Sequence, residues 1–553
     1  MPSEAVSPPV PPAAPGTEGF RSYFLNWHFA LLLAVIVFFG AIRWRLLDMP
    51  LERDEGEYAY AGQLILQGIP PYQLAYNMKL PGTYAAYAAM LAAFGQTARG
   101  VHLGLLLVNT ICVILLYLLT ARRFGTLAGT IAAASYILLS THQGVLGFAA
   151  HATHFIVLAM LAGLIFVLRA EETRRTSFFF WSGFAFGVAF LMKQPGLLLG
   201  VFGFLYLAIR CRPENAAEWP LWAKKMGVFL LAGVLPFAPT CAWLYRAGVF
   251  GNFWFWTFSY ASQYATTVPL RAGVGEFVGN FSYIVYYTWG LWVLALVGIS
   301  TMFWNPAVLR HALFLFGLLI FSWAAVCPGL YFRQHYFILV LPVMSIFVAL
   351  DVTSTIDLLK ERGVARWVLA VPGVVFAFFW GLAILENSDF YFKLTPVQAC
   401  RLCYFPNPFP EAEPIADYLR QHTQPTDTIM VLGSEPEIYF LARRHSASGY
   451  IYTYSLMEEQ SFWPTMQKQM VEEIESKRPA YMLFVNIRAS WLARPGSPQA
   501  RALGGWMDQY IPTAYDEVGM VELAQPESRF VWGDAAKNYH HPGLEVRILK
   551  RKD

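Results

Sequence analysis

Between Leu51 and Tyr84 the chain reads LERDEGEYAYAGQLILQGIPPYQLAYNMKLPGTY. This stretch packs Arg53, Asp54, Glu55, Glu57 and Lys79 into a sequence that otherwise avoids charge beside its apolar runs. Charged groups next to a bilayer are unfavourable unless they line a wet cavity or do chemistry. With a helix starting near Gly56, Asp54 lies close to its N-terminus, where unpaired backbone N–H groups favour a carboxylate. The plainer reading is a helix cap with solvated acidic neighbours. The Lys79 segment that follows, poised at a membrane surface, favours function instead. Further cations stand at Lys193, Arg271 and Arg333, and His151 and His154 lie three apart. A His pair at that spacing on one helix face can bind a metal or pair with an acid. It is equally an ordinary interfacial pair.

The elements that must position these residues are mostly membrane helices. Of 553 residues, 56% are hydrophobic and only 14% charged, against about 25% charged in a soluble domain. The net charge of +4 is small and spread over many loops, which argues against nucleic acid as a partner. Residues 1–26 read as a cytoplasmic tail, Pro/Ala-rich and disordered over Pro2–Gly19. The first apolar run, Phe29–Ala41, has no cleavage pattern after it and reads as a retained anchor.

A span needs about 20 mostly apolar residues. Candidates are 27–47, 99–120, 126–142, 150–168, 177–192, 195–210, 226–246, 284–304, 311–327, 335–352 and 367–385, so about eleven helices are expected. Basic loops mark the cytoplasmic side: Arg122 and Arg123, Arg169 with Arg174 and Arg175, Arg210 with Lys224 and Lys225, Arg310, and Lys360 with Arg362 and Arg366. The opposite side then holds the Asp54 stretch, Lys193, a long aromatic loop at 247–283, Arg333, and everything after Glu386. Cations kept on that disfavoured side suggest an anionic ligand, the plainer alternative being stems that snorkel to headgroups. Segments 56–67 and 82–94 are too short to span and read as interfacial amphipathic helices. Trp254, Trp256, Tyr260 and Tyr264 suit either a sugar ring or an aromatic belt.

The membrane domain is therefore 27–385, with an exported loop at 48–98, and 386–553 is a separate unit. In that unit strand-like Thr428–Gly433, helical Glu435–Ala442 and Pro464–Lys477, strand-like Ala480–Val485 and short strands near Phe530 and Val546 alternate, indicating a small α/β domain. Its Gly433-Ser434-Glu435 reads as a strand-to-helix turn. No Gly-rich phosphate loop or short repeat occurs. Cys112, Cys211, Cys241 and Cys327 read as small buried hydrophobes, while Cys400 and Cys403 form one C-x-x-C that admits a local disulfide but no zinc site.

RDEGEYAYAGQLILQG followed by PPY…YNMKLPGTYAAYAAMLAAFG resembles the first exported loop of GT-C membrane glycosyltransferases, in the branch of protein O-mannosyltransferases, the lipid A aminoarabinose transferase and bacterial relatives. Lys193-Gln194-Pro195, the run Arg333-Gln334-His335-Tyr336-Phe337 with Pro342, and NPFPEAEPIADYL…VLGSEPEIYFLARR are similar to further elements of that family. The resemblance implies a polytopic α-helical membrane protein of the bacterial inner membrane, with its C-terminal α/β domain in the periplasm. The implied activity is inverting transfer of a hexose or pentose from a polyprenyl-phosphate donor to a hydroxyl of a lipid, glycan or protein acceptor. Asp54 matches the catalytic carboxylate, a general base worth about 10²–10⁴-fold. Lys79 matches the lysine that holds the lipid phosphate, Arg333 shares it, and Lys193 is a further candidate. Glu55, Glu57, His154 and Tyr336 complete the expected substrate-binding set. Where relatives carry a second acid, this chain has His151-Ala-Thr-His154; no cofactor is implied firmly, and a divalent metal stays open. A lipid-linked sugar carrier, or a non-catalytic scaffold, is the alternative reading. The absence of paired broken half-helices and the clustering of acids outside the spans weigh against it.

Overall fold

The computed structural model describes residues 20–537, 539 and 543–552, so the tail expected over Pro2–Gly19 lies outside the described residues. Phe20–Tyr23 forms a single 3-10 turn, and Asn26 caps the first long helix by accepting from the Phe29 N–H.

In lipid only a helix satisfies each backbone N–H and C=O from within the segment, and each of the eleven apolar stretches overlaps a helix. Among the described residues six helices are long and apolar enough to cross a membrane: Trp27–Arg45, Ala98–Phe124, Ala152–Thr173, Ala216–Arg246, Leu341–Glu361 and Val368–Glu386. Thr126–Ser140, Thr176–Met192, Gly196–Arg210 and Ala312–Val326 are apolar but shorter. The span expected at 284–304 begins only at Trp289 and meets Leu270–Tyr286 at 105°. The expected loop 247–283 is thus mostly helical, with Phe250–Trp254, one π-helical turn at Phe255–Tyr260, and Ala261–Tyr264 before Leu270–Tyr286. The chain is an integral membrane protein. Arg45, at the end of the first helix, donates to the carbonyls of Phe390, Tyr391 and Leu394. That clasp ties the first span to the segment following the last one.

Arg53–Leu66 and Pro81–Phe94 are helices, as expected; the second keeps Ala85, Ala89 and Phe94 exposed, but the first does not lie at an interface. Every residue from Glu55 to Leu64 is buried. The reason is small residues on two sides. A Cβ on Gly62 would stand 2.9 Å from the Ala88 nitrogen, and one on Gly56 would stand 2.5 Å from the Glu437 nitrogen. The second helix and the C-terminal domain therefore close over the first, leaving no face for lipid.

The C-terminal domain is built on one six-stranded sheet. Its strands are β1 (Thr428–Leu432), β2 (His445–Ser446), β3 (Tyr481–Asn486), β4 (Tyr515–Glu522), β5 (Arg529–Trp532) and β6 (Glu545–Arg551), in the order β2-β1-β3-β6-β4-β5. β2, β1 and β3 are parallel, with Ile429 paired to both Ser446 and Tyr481, whereas β6, β4 and β5 run antiparallel. The sequence reading lacked β2, β4 and the helix Pro498–Ala514. β4 reads YDEVGMVE, and its register shifts between Glu517 and Gly519, so it shows no clean alternation. Cys400 and Cys403 are free thiols one turn apart on Pro396–Tyr404, which corrects the disulfide considered for them. A single apolar core runs from Tyr58, Tyr60 and Tyr84 of the buried helix pair into Ile429, Val431 and Tyr439 of the sheet domain.

Candidate active site

The helix Arg53–Leu66 starts three residues earlier than its sequence suggested, and Asp54 is not its cap. Glu52 holds that place. Its carboxylate accepts from the Glu55 N–H at 3.0 Å, and Glu55 reaches back to the Glu52 N–H at 3.3 Å, a reciprocal capping box. Asp54 sits in the first turn, where the helix dipole favours its charge, and its side chain is left free of capping duty.

It faces a cavity of about 560 Å³. Asp54 Oδ1 accepts from Lys79 Nζ at 3.4 Å and from the Tyr452 hydroxyl at 3.1 Å. Asp54 Oδ2 faces His151 Nδ1 at 3.8 Å and His335 Nε2 at 3.9 Å. Those two imidazoles stack, with centroids 3.9 Å apart and planes 11° from parallel. Burial by itself would raise the Asp54 pKa, but the Lys79 ammonium and the two histidines hold it well below the usual carboxylate range. Burial opposes the Lys79 charge as well, and the Asp54 carboxylate overcomes it. The pair is ionic at neutral pH.

Two further cations line the same cavity. Lys193 follows Thr176–Met192 and places Nζ 4.1 Å over the Tyr336 ring. Burial, then the Lys79 charge, brings its pKa down to about 7, so a phosphate beside it would restore its proton. Arg333, preceding the 3-10 segment Gln334–Leu339, lies 5.6 Å over Tyr331. Gln194 explains why a glutamine follows Lys193. Its amide donates to the Met78 carbonyl at 2.9 Å, while the Thr83 hydroxyl donates to the Met192 carbonyl at 2.7 Å. These bonds bind the Lys79 segment to the helix end that carries Lys193.

Asp54, Lys79, Lys193, Arg333 and Tyr336 therefore converge as expected, and three expected residues do not. Glu55 is buried under the Ala150 N–H at 2.6 Å and His102 Nε2 at 3.2 Å; it is a helix-capping and packing group. Glu57 takes the Tyr84 hydroxyl, and burial lifts its pKa to about 8, so it lies neutral below the cavity wall. His154 is buried inside Ala152–Thr173, and among the described residues neither of its ring nitrogens has a hydrogen-bond partner. The His pair splits because His151 precedes the helix while His154 lies within it. Trp254 and Trp256 split likewise: Trp254 is exposed and Trp256 lines the cavity with Tyr260 and Tyr264. Arg271 is exposed and lies outside the cavity.

Sequence reasoning missed His335 as a neighbour of Asp54, although it sits within the Arg333–Phe337 run that was singled out. It also missed Tyr452, Tyr454 and Glu458, which reach the cavity from the C-terminal domain and carry no sequence signal. Asp54, His151 and His335 place three ligand atoms within 4.8 Å of one another. Among the described residues neither His151 ring nitrogen has a hydrogen-bond partner, so this donor set fits a divalent cation.

A family model described as dolichyl-phosphate-mannose-protein mannosyltransferase matches residues 79–243. No curated protein sequence matches the chain. Among solved structures, ArnT from Cupriavidus metallidurans bound to undecaprenyl phosphate superposes with a TM-score of 0.57 at 14% identity, covering 94% of this chain and 97% of that one. The chain has the ArnT fold. Within it, the archaeal oligosaccharyltransferase AglB from Archaeoglobus fulgidus, in complex with an inhibitory peptide and a dolichol-phosphate, matches with a TM-score of 0.52 at 13% identity, over 95% of this chain and 76% of that one. Apo ArnT matches at 0.55 and 16% identity, over 94% and 97%. Lys79 and Lys193 fall inside the stretch that the family model matches.

Proposed function

We propose that this protein is a glycosyltransferase that moves a sugar from a polyprenyl-phosphate donor to an acceptor hydroxyl, with inversion, on the exported face of the bacterial inner membrane. The observation that carries this reading is the convergence of Lys79, Lys193 and Arg333 on one ionised carboxylate in one cavity. Lys79 and Arg333 stand ready for an anion, and a phosphate beside Lys193 would restore its proton as well, so a lipid phosphate fits this cluster. Two solved structures of the same fold hold undecaprenyl phosphate and dolichol-phosphate.

In this reading Lys79, Lys193 and Arg333 bind the donor phosphate. The acceptor oxygen attacks the anomeric carbon as the carbon–oxygen bond to phosphate breaks, and Asp54 takes the acceptor proton. The cations stabilise the charge growing on the departing phosphate. Attack from the face opposite the leaving group inverts the anomeric centre. The periplasmic placement of the C-terminal domain, 386–553, belongs to the same proposal and rests on the Lys/Arg asymmetry of the loops.

The test is purified protein with undecaprenyl-phosphate-linked mannose, glucose and aminoarabinose, using cell-envelope extract as acceptor source and release of free undecaprenyl phosphate as readout. One donor should be consumed by wild type, while Asp54→Asn and Lys79→Ala lose that release. Wild-type rates in Asp54→Asn would refute the assignment.

A further inference from the structure

The C-terminal domain enters the cavity as more than a cover. Tyr452 reaches it from the segment between β2 and the helix Tyr454–Met457, and that segment is fixed at several points. The Ser446 N–H donates to the Tyr60 hydroxyl at 2.9 Å, and the Tyr76 N–H donates to the Gly449 carbonyl at 2.7 Å. A Cβ on Gly449 would meet the Tyr76 ring at 2.3 Å, so the backbone can lie that close only with glycine there. The Thr453 N–H donates to Ser434 Oγ at 3.0 Å, and the Thr453 hydroxyl donates to the Ser490 carbonyl at 3.0 Å. Ser434 in turn offers its carbonyl to Arg53, the residue next to Asp54. Arg53 also pairs with buried Glu435 at 3.0 Å and lies 5.3 Å over the Tyr454 ring. The segment carrying Tyr452 and the turn carrying Asp54 are thus one locked unit.

Resting on the function proposed above, we infer that Tyr452 is a positioning residue for the general base: its hydroxyl donates to Asp54 Oδ1 and, with Lys79, turns Oδ2 toward the acceptor. Oδ1 carries both donors, and Oδ2 is left facing the imidazoles and the cavity. A hydrogen bond to a charged group fixes its orientation, and a misplaced catalytic group loses up to about 10²-fold in rate. The sheet domain is on this account part of the catalytic centre.

The experiment compares wild type, Tyr452→Phe, Asp54→Asn and the double variant as full-length proteins, in the donor assay described above. Tyr452→Phe removes one oxygen and keeps the ring, so its melting temperature should match wild type. Its kcat should fall about 10- to 100-fold, while KM for the donor stays within about twofold. In the Asp54→Asn background the same substitution should change nothing further, since a residue acting only through Asp54 has no other route. A merely structural tyrosine would give additive losses, or shift donor KM and kcat together; either result overturns the inference. So does a Tyr452→Phe kcat equal to wild type while Asp54→Asn is impaired. If wild type itself consumes no donor, or Asp54→Asn matches it, the functional reading falls first and takes this one with it.

Discussion

The two walls of the cavity differ in chemical kind. The helical half supplies Asp54, Lys79, His151, Lys193, Arg333 and His335. The C-terminal domain supplies Tyr452, Tyr454 and Ser455, with Glu458 as the carboxylate it adds beside the spans. Charge comes from loops at the helix ends, where the backbone leaves the bilayer and water is close. Orientation comes from a sheet domain, where strands and their turns hold side chains firmly. A catalytic carboxylate needs both, because ionisation and aim are separate requirements.

The division of labour predicts effects of graded size. The largest should follow Asp54→Asn, a loss of about 10²–10⁴-fold in transfer, with undecaprenyl phosphate still bound within about threefold of wild type by tryptophan fluorescence titration. Retained binding separates the base from the phosphate clamp; lost binding would merge the two roles. Next comes the seam. Arg53→Ala leaves Glu435 buried without its cation and should destabilise the protein by about 3 kcal/mol, read as an earlier urea transition monitored by tryptophan emission. Gly56→Ala presses a methyl onto the Glu437 backbone, and about 2 kcal/mol is expected in the same assay. An unchanged midpoint in both variants would mean that the two regions fold without needing each other.

The smallest effect concerns Glu458, whose carboxyl accepts from Tyr260. Burial raises its pKa from 4.5 to about 7. Between those values the folded chain holds a proton that the unfolded chain has lost, so stability falls as pH rises through that window. Glu458→Gln cannot ionise. Its stability should match wild type near pH 4 and exceed it at pH 8. A constant difference across that range in melting experiments would remove Glu458 from the buried wall.

Asp54 and Lys79 were legible because one short stretch holds both, in a chain otherwise sparing with charge. Lys193 and Arg333 were legible as cations in loops that the basic-loop pattern expects to be poor in them. Glu55 and Glu57 were misread for a local reason. Successive residues of a helix point in different directions, and acids of the same type one and three places from Asp54 face protein interior. His154 shows the same limit, since spacing alone does not say where a helix begins. Gln194 was named with its motif, but its bond to the Met78 carbonyl could not be read from it. Tyr452 had no legible signal at all. Nothing in YIYTY distinguishes a ring that reaches a carboxylate 398 residues earlier from the strand-like tyrosines around it.

By itself the sequence determined where helices form and which loops carry the charge. Lipid demands that each backbone group be satisfied within its own segment, and that demand is local and written in composition. The tertiary structure alone decided which acid faces the cavity, which histidine joins it, and that the sheet domain closes the site. Those outcomes depend on close approaches such as Gly56 against Glu437 and Gly449 against Tyr76, contacts between residues hundreds of positions apart that no window of sequence contains.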